Sequence, residues 1–300
     1  MAFIIMCFGM IRGKWWYGLL FDESVLLHYA SALNDQDLAC EYLFHSVSWL
    51  HKPLWTYETE LKGSDVSLYC YSTNMEKINF GKFKRSVCYG AQIAQWKRWI
   101  VWDTQQKNFF KQFCPDAIYQ VVGPIDFSDN GKKIHNFGSG FKIAIFDVTP
   151  TRPVTHTSLG CAIAPYYSEK LSLQYFINIG TIFNDNKIDL LWKQKRIVGR
   201  KFISNGFLKK RDHIINQFFE AIDPSVSARR LIEECDAIIS MPFTSTAIIG
   251  KELGKPSIFY DPSASIEQNE SHDIPVLKSK DELKNWYHSL NIEKTVSSNA

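Results

Sequence analysis

Short apolar runs alternate with amphipathic stretches through the second half of the chain. Phe141-Lys-Ile-Ala-Ile-Phe-Asp147, preceded by Gly138-Ser-Gly140, has the pattern of a buried strand that opens a domain. A loop rich in Thr and Pro follows over 149–160. Leu171, Tyr175, Ile179 and Phe183 recur at helical spacing and predict a helix over 168–183. Beyond it the pattern predicts a strand at 188–192, helices at 208–221 and 225–235, and a strand at 236–240. A helix over 244–253 closed by Gly254, strands at 256–260 and 274–277, and a helix over 280–290 complete the series. Strands alternating with helices at this spacing predict a parallel, doubly wound sheet.

The first half carries a weaker version of the pattern. It predicts a helix over 53–62, strands at 65–71 and 99–102, and a helix over 103–113 with Asp103 as its N-cap. A strand at 118–122 ends on Gly123-Pro124. Before Leu50 no βαβ unit is legible, so the opening of this domain reads as shortened. The expected fold is therefore α/β with two Rossmann-like domains, over 1–125 and 141–290. Residues 126–140 form a polar, Gly-rich linker and 291–300 a tail.

Three hundred residues, 45% of them hydrophobic, suit two packed domains and exclude wholesale disorder. A net charge of +3 is too weak a field to imply nucleic-acid binding. Seven scattered cysteines without a C-x-x-C pair argue against a disulfide scaffold or zinc knuckle and for a reducing, cytoplasmic setting. The apolar segment 1–10 has Arg12 and Lys14 behind it, whereas a signal peptide carries its charge in front. No run is long enough to predict a transmembrane helix. The cluster Trp15, Trp16, Tyr17, Leu19, Leu20 and Phe21 is read as a buried helix in preference to a membrane-surface contact.

Three groups of residues could carry chemistry. In Ser240-Met-Pro-Phe-Thr-Ser-Thr246 a strand gives way to a helix, placing Thr244, Ser245 and Thr246 about a helix N-terminus. Free N–H groups and the helix dipole attract phosphate there, and hydroxyls can add donors; Thr244 as a plain N-cap is the alternative. Lys193-Gln-Lys-Arg-Ile-Val-Gly-Arg-Lys201 follows a strand end, and Lys193, Lys195 and Arg196 stand closest to it. They could neutralise a diphosphate or form a solvated surface run. Lys209, Lys210 and Arg211 are assigned to an exposed helix face. Among the aromatics of 44–58, His45 and Glu58 are the candidate acid or base, with Asp22 and Glu23 less supported. Asp147 either points into the strand-end crevice or caps its loop. The chain has no G-x-S-x-G, P-loop, G-x-G-x-x-G or H-E-x-x-H motif.

The segment Asp223-Pro-Ser-Val-Ser-Ala-Arg-Arg-Leu-Ile-Glu-Glu-Cys-Asp-Ala-Ile-Ile-Ser-Met-Pro-Phe-Thr-Ser-Thr246, continuing from Gly250 to Pro262, resembles bacterial surface-carbohydrate biosynthesis proteins. These are glycosyltransferases of lipopolysaccharide and O-antigen clusters. Phe44-His-Ser-Val-Ser48, Lys52-Pro-Leu-Trp-Thr-Tyr-Glu58, Tyr71-Ser-Thr-Asn74 and Val121-Val-Gly-Pro-Ile125 support the likeness. The resemblance implies a GT-B-like fold in which the C-terminal domain holds a nucleotide-sugar and the N-terminal domain a glycan or glycolipid acceptor. It implies no metal and no cofactor apart from the donor substrate.

The Thr244-Ser-Thr246 turn is also similar to the hydroxyl motif of sialyl- and Kdo-transferases, which implies a CMP-activated donor gripped by Ser240, Thr244, Ser245, Thr246, Lys195 and Arg196. Two differences accompany it. Lys201-Phe-Ile-Ser-Asn205 lacks the His-Pro pair of CMP-sugar transferases, and Ile249 stands where many retaining GT-B enzymes hold the ribose with Glu. The expected activity is metal-independent glycosyl transfer to a surface polysaccharide or lipopolysaccharide, with contact at the inner membrane left open. A nucleotide-sugar epimerase is the rival within enzymes, and a non-catalytic glycan-binding or scaffold subunit the rival outside them.

Overall fold

The computed structural model describes residues 1–46, 51–73, 77–80, 83–86, 94–125, 140–150, 168–184, 188–194, 203–242, 244–267 and 272–290. The chain forms two compact units, Met1–Tyr71 with Cys88–Gly123 and Ser72–Val87 with Pro124–Ala300.

Unit 1 opens with two helices, α1 (Ala2–Ile11) and α2 (Trp16–Ala32), followed by β1 (Glu41–His45), α3 (Leu54–Leu61) and β2 (Asp65–Tyr69). A hairpin, β3 (Lys77–Phe80) and β4 (Phe83–Ser86), belongs by its contacts to unit 2. Then come β5 (Arg98–Val101), α4 (Thr104–Lys111) and β6 (Ile118–Val121). The strands form one parallel sheet in the order β1-β2-β5-β6. Asp103 caps α4 as expected, its carboxylate accepting from the Gln106 N–H at 2.7 Å. Behind the sheet Trp99 stacks on Phe110 at 4.3 Å, and both are buried.

Two readings of this unit are corrected. A strand, β1, does precede Leu50; it pairs on one side only and alternates poorly in burial, so its pattern is weak. The segment 15–21 is helical from Trp16 onward but not buried: Trp15 is 66% and Leu19 57% exposed. One face of α2 is spent on α3, and the main packing of α1 among the described residues is on α2.

The α2–α3 joint is polar at both ends. Glu23 accepts from the Leu54 N–H at 2.8 Å, capping α3, which gives that carboxylate a structural role. Lys62 Nζ donates to the carbonyls of Ala30, Ser31 and Leu33 at 3.0, 2.7 and 2.6 Å, closing the C-terminus of α2. Lys62→Met is expected to destabilise unit 1 by about 1–2 kcal/mol, since carbonyls at a helix end lose a charged donor. A lower urea midpoint for unit 1 checks this; an unchanged midpoint would show that water replaces the lysine without cost.

Unit 2 runs β7 (Phe141–Phe146), α5 (Glu169–Ile182), β8 (Ile188–Lys193), α6 (Asn205–Phe218), β9 (Glu220–Ile222), α7 (Ala228–Glu234), β10 (Ala237–Ser240), α8 (Thr246–Glu252), β11 (Ser257–Tyr260), β12 (Val276–Leu277) and α9 (Lys280–Ser289). Apart from the hairpin, these strands form one six-stranded sheet, parallel throughout, in the order β12-β11-β10-β7-β8-β9. β8 and β9 extend one way from β7, and β10, β11 and β12 lie on its other side. That is the doubly wound Rossmann order, and its direction reverses between β7 and β10.

Both faces of this sheet are covered, which is why its central strands are continuous apolar runs instead of alternating ones. Ala144, Phe146, Leu191 and Ile238 pack with Leu231 and Ile232 of α7 and Ile249 of α8. Tyr175 and Phe176 of α5 fill the other face, Phe176 edge-on to Trp192 at 5.7 Å.

Candidate functional site

In open parallel sheets ligands bind beyond the carboxyl ends of the strands, where the order reverses. In unit 2 that point lies between β7 and β10, whose last residues Phe146 and Ser240 are in register. The Met241 N–H donates to the Phe146 carbonyl at 2.8 Å, so the pairing continues one residue into the turn. Underneath, the fully buried Tyr175 hydroxyl lies 3.1 Å from the carbonyl oxygens of both Phe146 and Ile239 and donates to them. Burial raises the Tyr175 pKa far above its ordinary value, so the hydroxyl keeps its proton and holds the two strands together.

The turn after β10 is held by its own hydroxyls. Thr244 Oγ1 donates to the Met241 carbonyl at 2.7 Å, and Thr246 Oγ1 donates to Thr244 Oγ1 at 3.2 Å. Ser240 Oγ lies 2.8 Å from Thr246 Oγ1. Each hydroxyl has one proton, so with Thr246 donating to Thr244, Ser240 donates to Thr246. The chain of protons is used up inside the turn. Thr244 is therefore not the N-cap: Ser245 occupies that position and α8 starts at Thr246. The Ser245 side chain is half-buried and makes no capping bond. The first-turn N–H groups of α8 have no acceptor within the helix.

Two further strands bring charge to the same edge. Lys193 ends β8 in register with Phe146, and it is only 7% exposed. Burial lowers its pKa, while the charges of Asp147 and Asp223 act in the opposite direction. Asp147, 5% exposed, accepts from Trp192 Nε1 at 3.3 Å. Asp223, just past β9, accepts from the Ser225 N–H at 2.8 Å. The buried group is thus one cation among two carboxylates at the same strand-end edge as the turn of 240–246, with β7 between β8 and that turn. Asp223 went unmarked in the sequence, where nothing shows that β9 ends beside β8. Lys195 and Arg196 lie outside the described residues. Lys209 and Lys210 are exposed on α6, while the Arg211 guanidinium sits 5.4 Å from the centre of the Trp192 ring.

The candidates of unit 1 are placed separately. His45 ends β1, with its ring 5.8 Å from that of Tyr69, and its buried Nδ1 has no hydrogen-bond partner among the described residues. Glu58 lies half-buried on α3, and no hydrogen bond joins it to His45 among the described residues. The acid that α3 does engage is Glu60, 2.5 Å from Lys52 and 2.8 Å from Lys97. Burial lowers the Lys52 pKa against the pull of Glu60, so Lys52 and Glu60 form a buried structural pair with the exposed Lys97 at its edge.

The sequence profile of the polysaccharide biosynthesis PFTS motif proteins matches residues 2–287. The chain belongs to that family. In one-letter code the motif reads as Pro242-Phe-Thr-Ser245, the turn between β10 and α8. No curated protein matches the chain by sequence. Among solved structures, the glycotransferase of kitacinnamycin is similar at 11% identity and a TM-score of 0.50, over 93% of this chain and 76% of that one. Anabaena HepE, solved with UDP and glucose, is 10% identical with a TM-score of 0.49, over 92% and 73%. Staphylococcus aureus TarM, solved with UDP, is 10% identical with a TM-score of 0.48, over 92% and 54%. The fold is α/β and GT-B-like, with two Rossmann-like units, as the sequence led us to expect.

Proposed function

We propose that this member of the PFTS motif family is a glycosyltransferase of polysaccharide biosynthesis that takes its sugar from a nucleotide-sugar. The observation that carries the reading is the PFTS turn standing at the order reversal of the unit 2 sheet, with the buried Lys193 at the same strand-end edge on the far side of β7. In glycosyl transfer the acceptor hydroxyl attacks the anomeric carbon and gives its proton to a base. The bond from that carbon to the phosphate oxygen breaks, and its electron pair leaves with the phosphate. Groups that meet the growing phosphate charge therefore accelerate the step. The first-turn N–H groups of α8, the Ser245 hydroxyl and the Lys193 ammonium are assigned that role, with Lys195 and Arg196 adding charge. Ser240, Thr244 and Thr246 shape the turn, and their oxygens remain able to accept.

No step in this scheme calls on a metal or a further cofactor. His45 is assigned as the base, with Glu58 the second candidate; the unpartnered Nδ1 of His45 supports that order. A CMP-activated donor and a glycan or glycolipid acceptor of the lipopolysaccharide kind are the finer proposals, drawn from the likeness of Thr244-Ser-Thr246.

Thermal unfolding with millimolar CMP, UDP, GDP, ADP or dTDP tests the donor site. A ligand at a hundred times its Kd stabilises by about 2.7 kcal/mol, so one nucleotide is expected to raise Tm by several degrees. Ser245→Ala and Arg196→Ala are each expected to reduce that shift. No shift with any nucleotide would overturn the transferase reading. It would favour a non-catalytic, glycan-binding or scaffold role, for which the self-satisfied hydroxyls of 240–246 speak.

A further inference from the structure

The outward face of α1 is apolar without interruption. Its ten residues include no charged, amide or hydroxyl side chain. Phe3 is 59% exposed, Ile4 66%, Phe8 56% and Ile11 84%. A helix apolar on every side normally lies buried on every side. Among the described residues, the side turned to α2 is the one that packs: Phe3 meets Phe21 at 5.7 Å, and Gly9 approaches so near to Tyr17 that an added Cβ would lie 2.4 Å from the ring. Trp15, just before α2, and Trp16, Leu19 and Leu20 on it are exposed as well.

The chemistry of this surface points to its occupant. Folded partners meet over an apolar centre with a polar rim, and α1 offers no rim along its length. Polar groups appear first at the turn into α2, and they are the cations Arg12 and Lys14, flanked by Trp15 and Trp16. The Arg12 guanidinium stands 4.1 Å from the centre of the Phe8 ring, at the margin of the apolar face. Cations with long stems and tryptophans beside an apolar face match the headgroup boundary of a bilayer, where ammonium and guanidinium groups reach lipid phosphates. The first acids after the turn are Asp22 and Glu23, and Glu23 is engaged on α3. At about 1.5 Å per residue, α1 spans about 15 Å, half of a hydrocarbon core about 30 Å thick. No helix among the described residues is long and apolar enough to cross a membrane.

We infer that the α1–α2 pair is a docking element for an anionic lipid bilayer surface, lying in the interface of one leaflet with Arg12 and Lys14 on the headgroups. Docking asks nothing of the donor site, so the two readings fail separately: one by vesicle binding, the other by nucleotide response.

Flotation of the full chain with vesicles of phosphatidylglycerol and phosphatidylcholine, or of phosphatidylcholine alone, tests it. The chain is expected to float with the anionic vesicles and markedly less with the neutral ones. Ile4→Asp with Phe8→Asp is expected to abolish flotation. Both positions are exposed, so unchanged thermal unfolding serves as the control for folding. Arg12→Glu with Lys14→Glu is expected to weaken binding to anionic vesicles about twenty-five-fold or more, each cation contributing roughly fivefold.

Wild-type chain left at the bottom of the gradient would overturn the inference, as would equal flotation of the Ile4→Asp/Phe8→Asp variant. Equal binding to both vesicle types would overturn the anionic preference. A vesicle-independent dimer that the Asp pair dissolves, with no flotation, would make the occupant a second copy of the chain.

Discussion

Lys193→Met is expected to weaken nucleoside phosphate binding by about tenfold to a hundredfold, the range of a lost hydrogen bond to a charged group. It is also expected to change how stability varies with pH. Burial holds the Lys193 pKa below its ordinary 10.5, so in the interval between the two values the unfolded chain binds more protons than the folded one. Stability then gains as pH rises through that interval, and below it the burial cost is present in full. Methionine removes the titration. Urea midpoints taken up to pH 10.5 should show the wild type gaining on the variant as pH rises. Lys52 is lowered too but contributes equally to both proteins, so the difference isolates Lys193. Parallel curves would mean that water solvates the ammonium, and the strand-end site would lose its buried cation.

Gly250→Val is expected to have the largest effect on folding. Gly250 lies on the face of α8 that packs on β10 and β11, and a Cβ there would lie 2.4 Å from Ser257 Oγ and 2.8 Å from Ile238 Cδ1. Ile238 is fully buried, with nowhere to retreat. Alanine already overpacks the contact, at a cost of about 1–3 kcal/mol against about 1 kcal/mol gained in helix propensity. Valine adds two methyl groups and a branch, for about 3 kcal/mol or more, which is about 6–12 °C in Tm for a unit of this size. Nucleotide response should fall as well, because α8 carries the turn that precedes it. Ser257→Ala combined with Gly250→Ala should restore part of the alanine loss, with a coupling of about 1 kcal/mol. An alanine variant as stable as the wild type would show that α8 does not pack this closely.

The sheet of unit 2 was legible because its strands are buried on both faces and read as plain apolar runs between helices. β9 was not: three residues, one of them Glu220, follow α6 after the single residue Phe219 and leave no run to recognise. β1 failed for a related reason, having an edge position and one buried residue in five. The cluster 15–21 shows a different limit. Periodicity separates apolar from polar faces, but α1 and α2 present apolar residues on exposed faces too, so pattern cannot tell a core from a greasy surface. At the site, the turn of 240–246 and Lys193 were marked from strand ends and helix starts. What spacing could not show is how the hydroxyls of Ser240, Thr244 and Thr246 spend their protons, since the proximity of Ser240 to Thr246 exists only after the turn has closed.

The order reversal has a consequence for how the chain is made. β7 pairs with β8 on one side and with β10, some ninety residues later, on the other. Until β10 has been synthesised, β7 is an edge strand whose residues 143–146 are fully apolar. Such an edge is a template for pairing with other chains, and non-local parallel pairing is slow to hide it. A nascent or truncated chain ending before 237 would expose that edge together with half of the strand-end site. The late arrival of Ala237–Ser240 therefore does two things at once: it completes the crevice and removes the most adhesive surface of the unfinished unit.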